Sequence, residues 1–380
     1  MTSYWLAEPR SPLLVNALDG TPDVVVVGGG VTGCSAALTL AQAGRKVRLY
    51  EAREIAAGAS GRNGGFALRG GAAPYDVIAE SIGRERAAEL WRATERAVDE
   101  ICSLAGDAAR RLGSLRLAND EEERDELRRE FEALREDGFA VEWRESSEVG
   151  GPVAGRFTGA IFHPADAVLQ PARWVRRLAA LAARAGVEIR EFSRVSSLEE
   201  LDELDAPVVV VATDGYPSGL LGELEGLIVP TRGQMIATEP LEERWFEVPH
   251  YGRHGFDYWH QTPDGRILAG GFRDVSMDSE FTSVEETTPA VQGALASFVE
   301  SLAGRPLRVD YRWAGIFGLV LDFLPVVGPV PGADGLWTAG GYSGHGNVLG
   351  FLCGRLVARA ILGDRDPLLD VCEPARLHGE

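Results

Sequence analysis

Residues 23–51, DVVVVGGGVTGCSAALTLAQAGRKVRLYE, decide the fold. The β-branched run 24–27 has the composition of a strand buried on both faces of a parallel sheet. Gly28, Gly30 and Gly33 follow at G-x-G-x-x-G spacing. In that pattern the first glycine makes the turn, the second lets backbone approach a pyrophosphate, and the third lets the helix pack on the strand. The helix predicted over 31–43 starts at this turn, so its free N–H groups and positive dipole end favour an anion there. Gly44 ends the helix and 47–50 form a second strand. Glu51 then falls where a carboxylate reaches the ribose hydroxyls of a dinucleotide. An ordinary βαβ unit accounts for the strand and helix, but not for the glycine spacing together with Glu51.

Around this unit the chain has 45% hydrophobic and 25% charged residues over 380 positions, an ordinary globular balance with room for a large core and one or two intertwined domains. No apolar run reaches the roughly 18 residues of a membrane span. The start, MTSYWLAEPRSPLL, lacks a basic stretch followed by an apolar one, so no secretion signal is expected and cytoplasmic residence is the default. With 38 Lys and Arg against 57 Asp and Glu, the net charge of −19 disfavours nucleic acid and anionic membranes as partners. Cys34, Cys102, Cys353 and Cys372 show no C-x-x-C pairing and read as buried thiols rather than disulfides, and the histidines lack metal-ligand spacing; no metal is expected. Lys46 is the sole lysine.

The stretch 52–71, AREIAAGASGRNGGFALRGG, is too rich in glycine for a helix or stable strand and suits backbone laid against a ligand. From 74 to about 138 the pattern is helical, and the mixed-charge run 120–137 reads as a solvated helix face. Short strands are expected near 114–118 and 139–143. Residues 171–185 form an amphipathic helix with Pro171 in its first turn, stopped by Gly186. APVVVVATDG (206–215) repeats the motif of a buried strand running into a small-residue turn. Residues 230–317 read as an antiparallel sheet with a turn at 263–265 and a helix at 289–303. Residues 336–363 give strand, glycine loop and helix. Nucleotide-type strands therefore occur at the start, middle and end, with antiparallel material between them. A simple NAD dehydrogenase completes its sheet in one block, so that reading is disfavoured. The fold class expected is α/β plus α+β: a doubly wound domain with an inserted antiparallel-sheet domain carrying helices, both discontinuous.

The opening DVVVVGGGVTG with Glu51, the loop GASGRNGGF (58–66), the turn ATDGY (212–216), TRGQMIATEP (231–240) and the closing GGYSGHG (340–346) resemble the D-amino-acid oxidase superfamily of FAD-dependent oxidoreductases. Within it, the chain is similar to sarcosine oxidase and glycine oxidase, and most similar to γ-glutamylputrescine oxidase-like enzymes, from about residue 3 to 363. The resemblance implies a glutathione-reductase-type Rossmann domain from 1–75, 155–218 and 318–380, and a substrate domain from 76–154 and 219–317. It places Gly28, Gly30, Val31, Thr32 and Gly33 at the FAD pyrophosphate, and Glu51, Ala52 and Arg53 at the ribose and its surroundings. Ala59, Ser60, Arg62, Asn63, Gly64 and Gly65 would run along the pyrophosphate, ribityl chain and flavin edge. The Val195 backbone would contact adenine, and Ala212 and Thr213 would form the middle turn. Gly315, Gly341, Tyr342, Gly344, His345, Gly346, Asn347 and Val348 would surround the flavin, the helix start stabilising negative charge on its pyrimidine.

The implied reaction is hydride transfer from the amine-bearing carbon to flavin N5, hydrolysis of the imine, and reoxidation by O2 with release of H2O2. Alternatives are a dehydrogenase using another acceptor and a non-catalytic flavoprotein subunit. Sarcosine oxidases attach flavin through a cysteine; the matching region 313–318, WAGIFG, has none, so FAD is expected to be noncovalent. Those enzymes also use a lysine near the flavin; Lys46 cannot serve, which leaves Arg62, His260 or His345 to supply positive charge. The basic pair that grips a small carboxylate is replaced near Phe66 and Val348, which speaks against a simple N-methylglycine substrate. Candidate catalytic residues are His260, Tyr258, Arg62, His345 and Phe317. Trp259 and Trp313 are divided between core and pocket, Arg69 and Arg253 are candidates for a substrate carboxylate, and His163, His250 and His378 are expected to be surface or structural.

Overall fold

The structure, a computed structural model, describes residues 2–197, 199–200 and 206–377, so His378 lies outside the described residues. Val24–Val27 is buried at every position and pairs in parallel with Val47–Tyr50 on one side and Val208–Val211 on the other. The six-stranded sheet runs in the order Val326–Pro329, Leu336–Gly340, Val208–Val211, Val24–Val27, Val47–Tyr50, Glu188–Arg190. Only the edge strand Val326–Pro329 is antiparallel to its neighbour. Val27 stands beside Val211, and Val211 beside Thr338. The carboxyl ends of these three central strands therefore lie together, and so do the turns that follow them, although they are widely separated in sequence. That is the edge of an open parallel sheet where ligands bind.

Helix Val31–Gln42 is buried along most of its length and packs against helices Pro171–Arg184 and Gly346–Ile361. The contact with the last helix is close because Gly350 and Gly354 face Thr32: a β-carbon at Gly350 would lie 2.8 Å from the Thr32 hydroxyl, and one at Gly354 would overlap the Thr32 carbonyl. Cys34, Cys353 and Cys372 are buried, and Cys102 is half-buried.

The second sheet has eight strands in the order Val309–Leu319, Val229–Pro240, Arg266–Gly271, Asp257–Gln261, His250–Gly252, Ser114–Ala118, Gly159–His163, Glu142–Glu145. Two features depart from the sequence reading. His250–Gly252 and Ser114–Ala118 pair in parallel, joining the two inserted segments into one surface. Gly159–His163 also belongs here, although the expected boundary at 155 assigns it to the nucleotide domain; its partners Ser114–Ala118 and Glu142–Glu145 both lie on this sheet. The helix Pro289–Ala303 covers this sheet through Val291, Leu295, Val299 and Leu302.

The glycine-rich loop after Glu51 is not wholly irregular. It contains the short turn of helix Ala59–Gly61 and the two-residue strand Phe66–Ala67, whose pairing is supplied by distant Ala167–Leu169. The charged helix Glu121–Glu136 is capped by Asp120, which accepts from the Glu123 N–H. Its face is not all solvated: Glu130 is buried, accepting from Arg116 (2.7 Å) and from the Tyr75 N–H (3.1 Å).

Candidate active site

A cavity of about 600 Å3 opens along the carboxyl ends of the three central strands and continues over one face of the second sheet. Its nucleotide end is built from the first turn. Gly28 has φ +113°, and a β-carbon there would sit 2.5 Å from the Ala212 carbonyl oxygen, so glycine is required where the first and middle turns touch. The carboxylate of Glu51 accepts from the Gly29 N–H (2.7 Å) and the Arg53 N–H (2.8 Å), one on each oxygen. Each oxygen keeps lone-pair capacity for a ribose hydroxyl. The Val31 N–H donates to Ser60 Oγ (3.0 Å), drawing the loop 58–66 onto the helix start.

The middle turn is organised by Asp214, a left-handed residue (φ +51°) that the sequence reading did not single out. Its carboxylate accepts from the Gly341 N–H (2.8 Å) and the Gly318 N–H (3.0 Å), which ties the middle turn to the last turn and to the strand Val309–Leu319. In the last turn, Thr32 and Tyr342 hydroxyls meet at 2.9 Å, and Asn347 makes a reciprocal amide pair with Asn63, each bond 3.0 Å. All three turns thus close on one another around the cavity.

Of the expected cofactor residues, Gly28, Gly30, Val31, Thr32, Glu51, Ala52, Arg53, Ala59, Ser60, Arg62, Asn63 and Gly64 line the cavity. So do Val195, Ala212, Thr213, Gly315, Tyr342, Gly344, His345, Gly346 and Asn347. Four do not reach the wall. Gly33 packs under the Gly28 carbonyl, the helix-on-strand role of the third glycine. Gly65 donates to Asn63, Gly341 donates to Asp214, and Val348 is buried in the core.

The far end is formed by Phe66, Tyr251, Tyr258, Phe317 and Arg273, with Gly233 and Gly271 leaving space. Tyr258 faces Gly270 across the sheet, and a β-carbon at 270 would overlap its ring. Burial pushes the Tyr258 phenol up to about 12, against the opposing charge of Arg273. The Arg273 guanidinium lies 4.3 Å from the Phe256 ring centroid and 5.8 Å from that of Phe317. Among the described residues it has no carboxylate partner, and the hydroxyls of Tyr251 and Tyr258 have no hydrogen-bond partner. Arg273 and Tyr251 carry no signal in the sequence, because strand pairing puts Tyr251 opposite Tyr258 and the turn after strand Arg266–Gly271 brings Arg273 to the same wall.

Three expected side chains belong elsewhere. His260 shares a face with Tyr258 but lies one layer deeper, between Trp5 (stacked, centroids 6.0 Å apart) and Phe66 (edge-on, 5.6 Å). Its Nε2 donates to the Gly64 carbonyl (3.0 Å), and burial lowers its pKa to about 4, so it is a neutral strut behind the wall. Arg69 pairs with Glu95 (3.0 Å), and Arg253 holds Asp257 (2.6 Å) and Asp274 (2.8 Å); both arginines are committed within the protein. Trp259 and Trp313 are core residues, Trp313 donating to the Arg62 carbonyl (2.8 Å). His163 and His250 are buried among protein groups. His345 is on the wall, but burial holds its pKa down at about 4, so it does not supply a positive charge. Lys46 bonds the Asp19 carbonyl (3.0 Å), away from the cavity wall.

The three turns, the helix start and the Glu51 carboxylate fit an extended anionic dinucleotide such as FAD. The comparisons agree. A family model described as DAO, FAD dependent oxidoreductase, matches residues 23–360. The chain is 30% identical over 390 residues to gamma-glutamylputrescine oxidoreductase of Escherichia coli K12, covering 96% of this chain and 90% of that protein. Among solved structures, glycine oxidase from Geobacillus kaustophilus superposes with a TM-score of 0.72 at 22% identity, covering 92% of this chain and 96% of that one. L-proline dehydrogenase from P. horikoshii gives 0.75 at 21%, covering 95% and 99%. No helix among the described residues is long and apolar enough to cross a membrane.

Proposed function

The chain belongs to the DAO family of FAD-dependent oxidoreductases, and from that premise we propose that it oxidises a primary or secondary amine or an amino acid whose anionic group is held by Arg273. The observation that carries this reading is the unpaired Arg273 guanidinium on the cavity wall with two free phenol hydroxyls, Tyr251 and Tyr258. A guanidinium flanked by hydroxyl donors suits a carboxylate. The names of the relatives, one acting on gamma-glutamylputrescine and one on glycine, support an amine or amino-acid donor. The six-stranded sheet is proposed as the cofactor domain and the eight-stranded sheet as the substrate domain.

Bound FAD supplies the two-electron acceptor for the hydride that leaves the amine-bearing carbon. The residues of the chain bind, orient and dry the site. Phe66, Tyr258 and Phe317 wall off the reacting end from water, which favours the neutral amine. Arg273 fixes the far end of the substrate, so that the reacting carbon is presented in one orientation. The start of helix Gly346–Ile361, with neutral His345 at its cap, offers N–H groups to negative charge. Among the described residues, no cysteine lines the cavity. The imine product would be hydrolysed by water after release.

Oxygen is proposed as the final acceptor, giving H2O2. A second reading, an acceptor other than oxygen, is favoured by the neutrality of His345 and by the 3.6 Å approach of the Glu285 carboxylate to Arg62. The test is the absorption spectrum of the purified protein, bleaching of bound flavin by amines without air, and peroxide release in air. Arg273→Met should raise KM for carboxylate-bearing amines by about tenfold or more, the scale of one lost charge-assisted contact, with little change for uncharged amines. Equal effects on both classes would remove Arg273 from the substrate site.

A further inference from the structure

The segment between strand Arg266–Gly271 and helix Pro289–Ala303 is pinned at two points to strand Val229–Pro240. At the first, the buried Glu280 carboxylate accepts from Arg232 Nε (2.9 Å) and Nη2 (2.8 Å) and from Gln234 Nε2 (2.9 Å). At the second, the Thr288 N–H donates to Gln234 Oε1 (2.9 Å) and Gln234 Nε2 donates to Thr288 Oγ1 (2.8 Å). Between these pins, residues 281–287 leave the second sheet and reach the turns of the first. Phe281 and Val284 are turned outward, 46% and 50% exposed, while Ser283 and Glu285 line the cavity.

Glu285 makes the crossing. Its Oε2 accepts from Arg53 Nη1 (2.6 Å), and its Oε1 accepts from Arg53 Nη2 (3.2 Å) and from the Tyr216 hydroxyl. Arg62 Nε stands 3.6 Å from Oε1, and the Arg53 guanidinium lies over the Tyr216 ring, 5.3 Å from its centroid. These three partners come from the loop after Glu51 and from the middle turn, two walls of the nucleotide end. Arg53 and Tyr216 together hold the Glu285 carboxyl below its ordinary range in spite of partial burial, so the latch is charged at neutral pH.

A carboxylate on the wall of a cleft for an anionic cofactor opposes binding unless something offsets it. Here its charge is offset by two arginines, so its contribution is closure. We propose that residues 281–287 are a strap across the cofactor cleft and that Glu285 is its latch, setting the rate at which FAD leaves and enters; this rests on the FAD reading above. With the latch closed, the Glu285 contacts to Arg53 and Tyr216 tie the strap across the cleft, so the cofactor leaves only when they break.

The test is FAD exchange in the holoenzyme, followed by the fluorescence of flavin released on dilution. Glu285→Gln keeps the shape of the side chain and removes the charge, and should speed release about ten- to hundredfold, the scale of a lost bidentate ion pair. Arg53→Gln should act similarly, and the double variant should be no faster than the faster single one, since both break one latch. Tyr216→Phe, which deletes one donor, should give a smaller increase, and it carries the test should Glu285→Gln fail to fold. Asp278→Asn, on the exposed side of the same segment, should release flavin at the wild-type rate. Holoenzyme with Glu285→Gln should also be cut faster by chymotrypsin at Phe281. Wild-type release rates in folded Glu285→Gln or Tyr216→Phe would overturn the latch while leaving the FAD reading intact. A folded wild-type protein that takes up no FAD would overturn both.

Discussion

Asp214 shows how one side chain can set a site. Its two carboxylate oxygens receive N–H groups from Gly318 and Gly341, so residues far apart in sequence are fixed to the middle turn. Two acceptors facing two donors is an arrangement that an amide cannot reproduce, because one end of it would present N–H to N–H. Asp214→Asn should therefore destabilise the protein by about 1–2 kcal/mol and weaken FAD uptake. Denaturant unfolding with flavin titration checks this, and an unchanged FAD affinity would refute the assigned role. The same reasoning separates Arg273 from Arg69 and Arg253. All three are arginines near the expected pocket, yet two are already neutralised by carboxylates of the protein. Sequence composition does not distinguish a committed arginine from an available one.

At the scale of elements, helix Val31–Gln42 and helix Gly346–Ile361 approach closely, and their starts flank the first and last turns. A β-carbon at Gly354 would overlap backbone, and the helices would have to separate. Gly354→Ala should cost about 1–3 kcal/mol of stability and lower FAD affinity, because both turns ride on the displaced helices. Gly293, in the middle of helix Pro289–Ala303, has open space around it. Gly293→Ala should stabilise by about 0.5–1 kcal/mol through helix propensity and chain entropy. Urea unfolding of the two variants gives opposite signs if packing, rather than glycine content, decides.

Over the whole molecule, buried titratable groups set the acid limit of stability. His250, His260 and His345 are each held near a pKa of about 4 by burial. An unfolded histidine titrates near about 6.5, so between these values the unfolded chain binds more protons and stability rises with pH. The stabilisation is complete above about 6.5 and is lost as pH falls through about 4, with a slope of up to about 1.4 kcal/mol per pH unit for each histidine. Asp166 works in the opposite direction: burial raises it to about 6, so its contribution is present below the ordinary carboxylate range and lost as pH rises through about 6. His163 is lowered by burial as well, and Asp214 and Asp257 are raised like Asp166, so four histidines stand against three carboxylates and the balance is a net loss on acidification. Thermal midpoints of the apoprotein should fall from pH 7 to pH 5, and a flat profile would refute the neutral assignment of these histidines.

The amino-acid sequence by itself determined the three strand-and-turn units, because a β-branched run, spaced glycines and a terminal carboxylate are local requirements carried by adjacent residues. Helices such as 289–303 were legible for the same reason: proline and glycine mark their ends, and the apolar period lies within them. What only the tertiary structure decided was how separate segments meet. His260 and Tyr258 share a strand face, but the placement of Trp5 and Phe66 puts one behind the wall and leaves the other on it. Gly159–His163 joins the second sheet because its partners lie there, and its own residues do not name them. Glu285 lies among acidic neighbours in the sequence, and only the fold brings its carboxylate to Arg53 and Tyr216. The physical reason is common to all three: strand periodicity fixes the direction of a side chain, whereas its depth, partner and charge balance depend on long-range packing that no local pattern encodes.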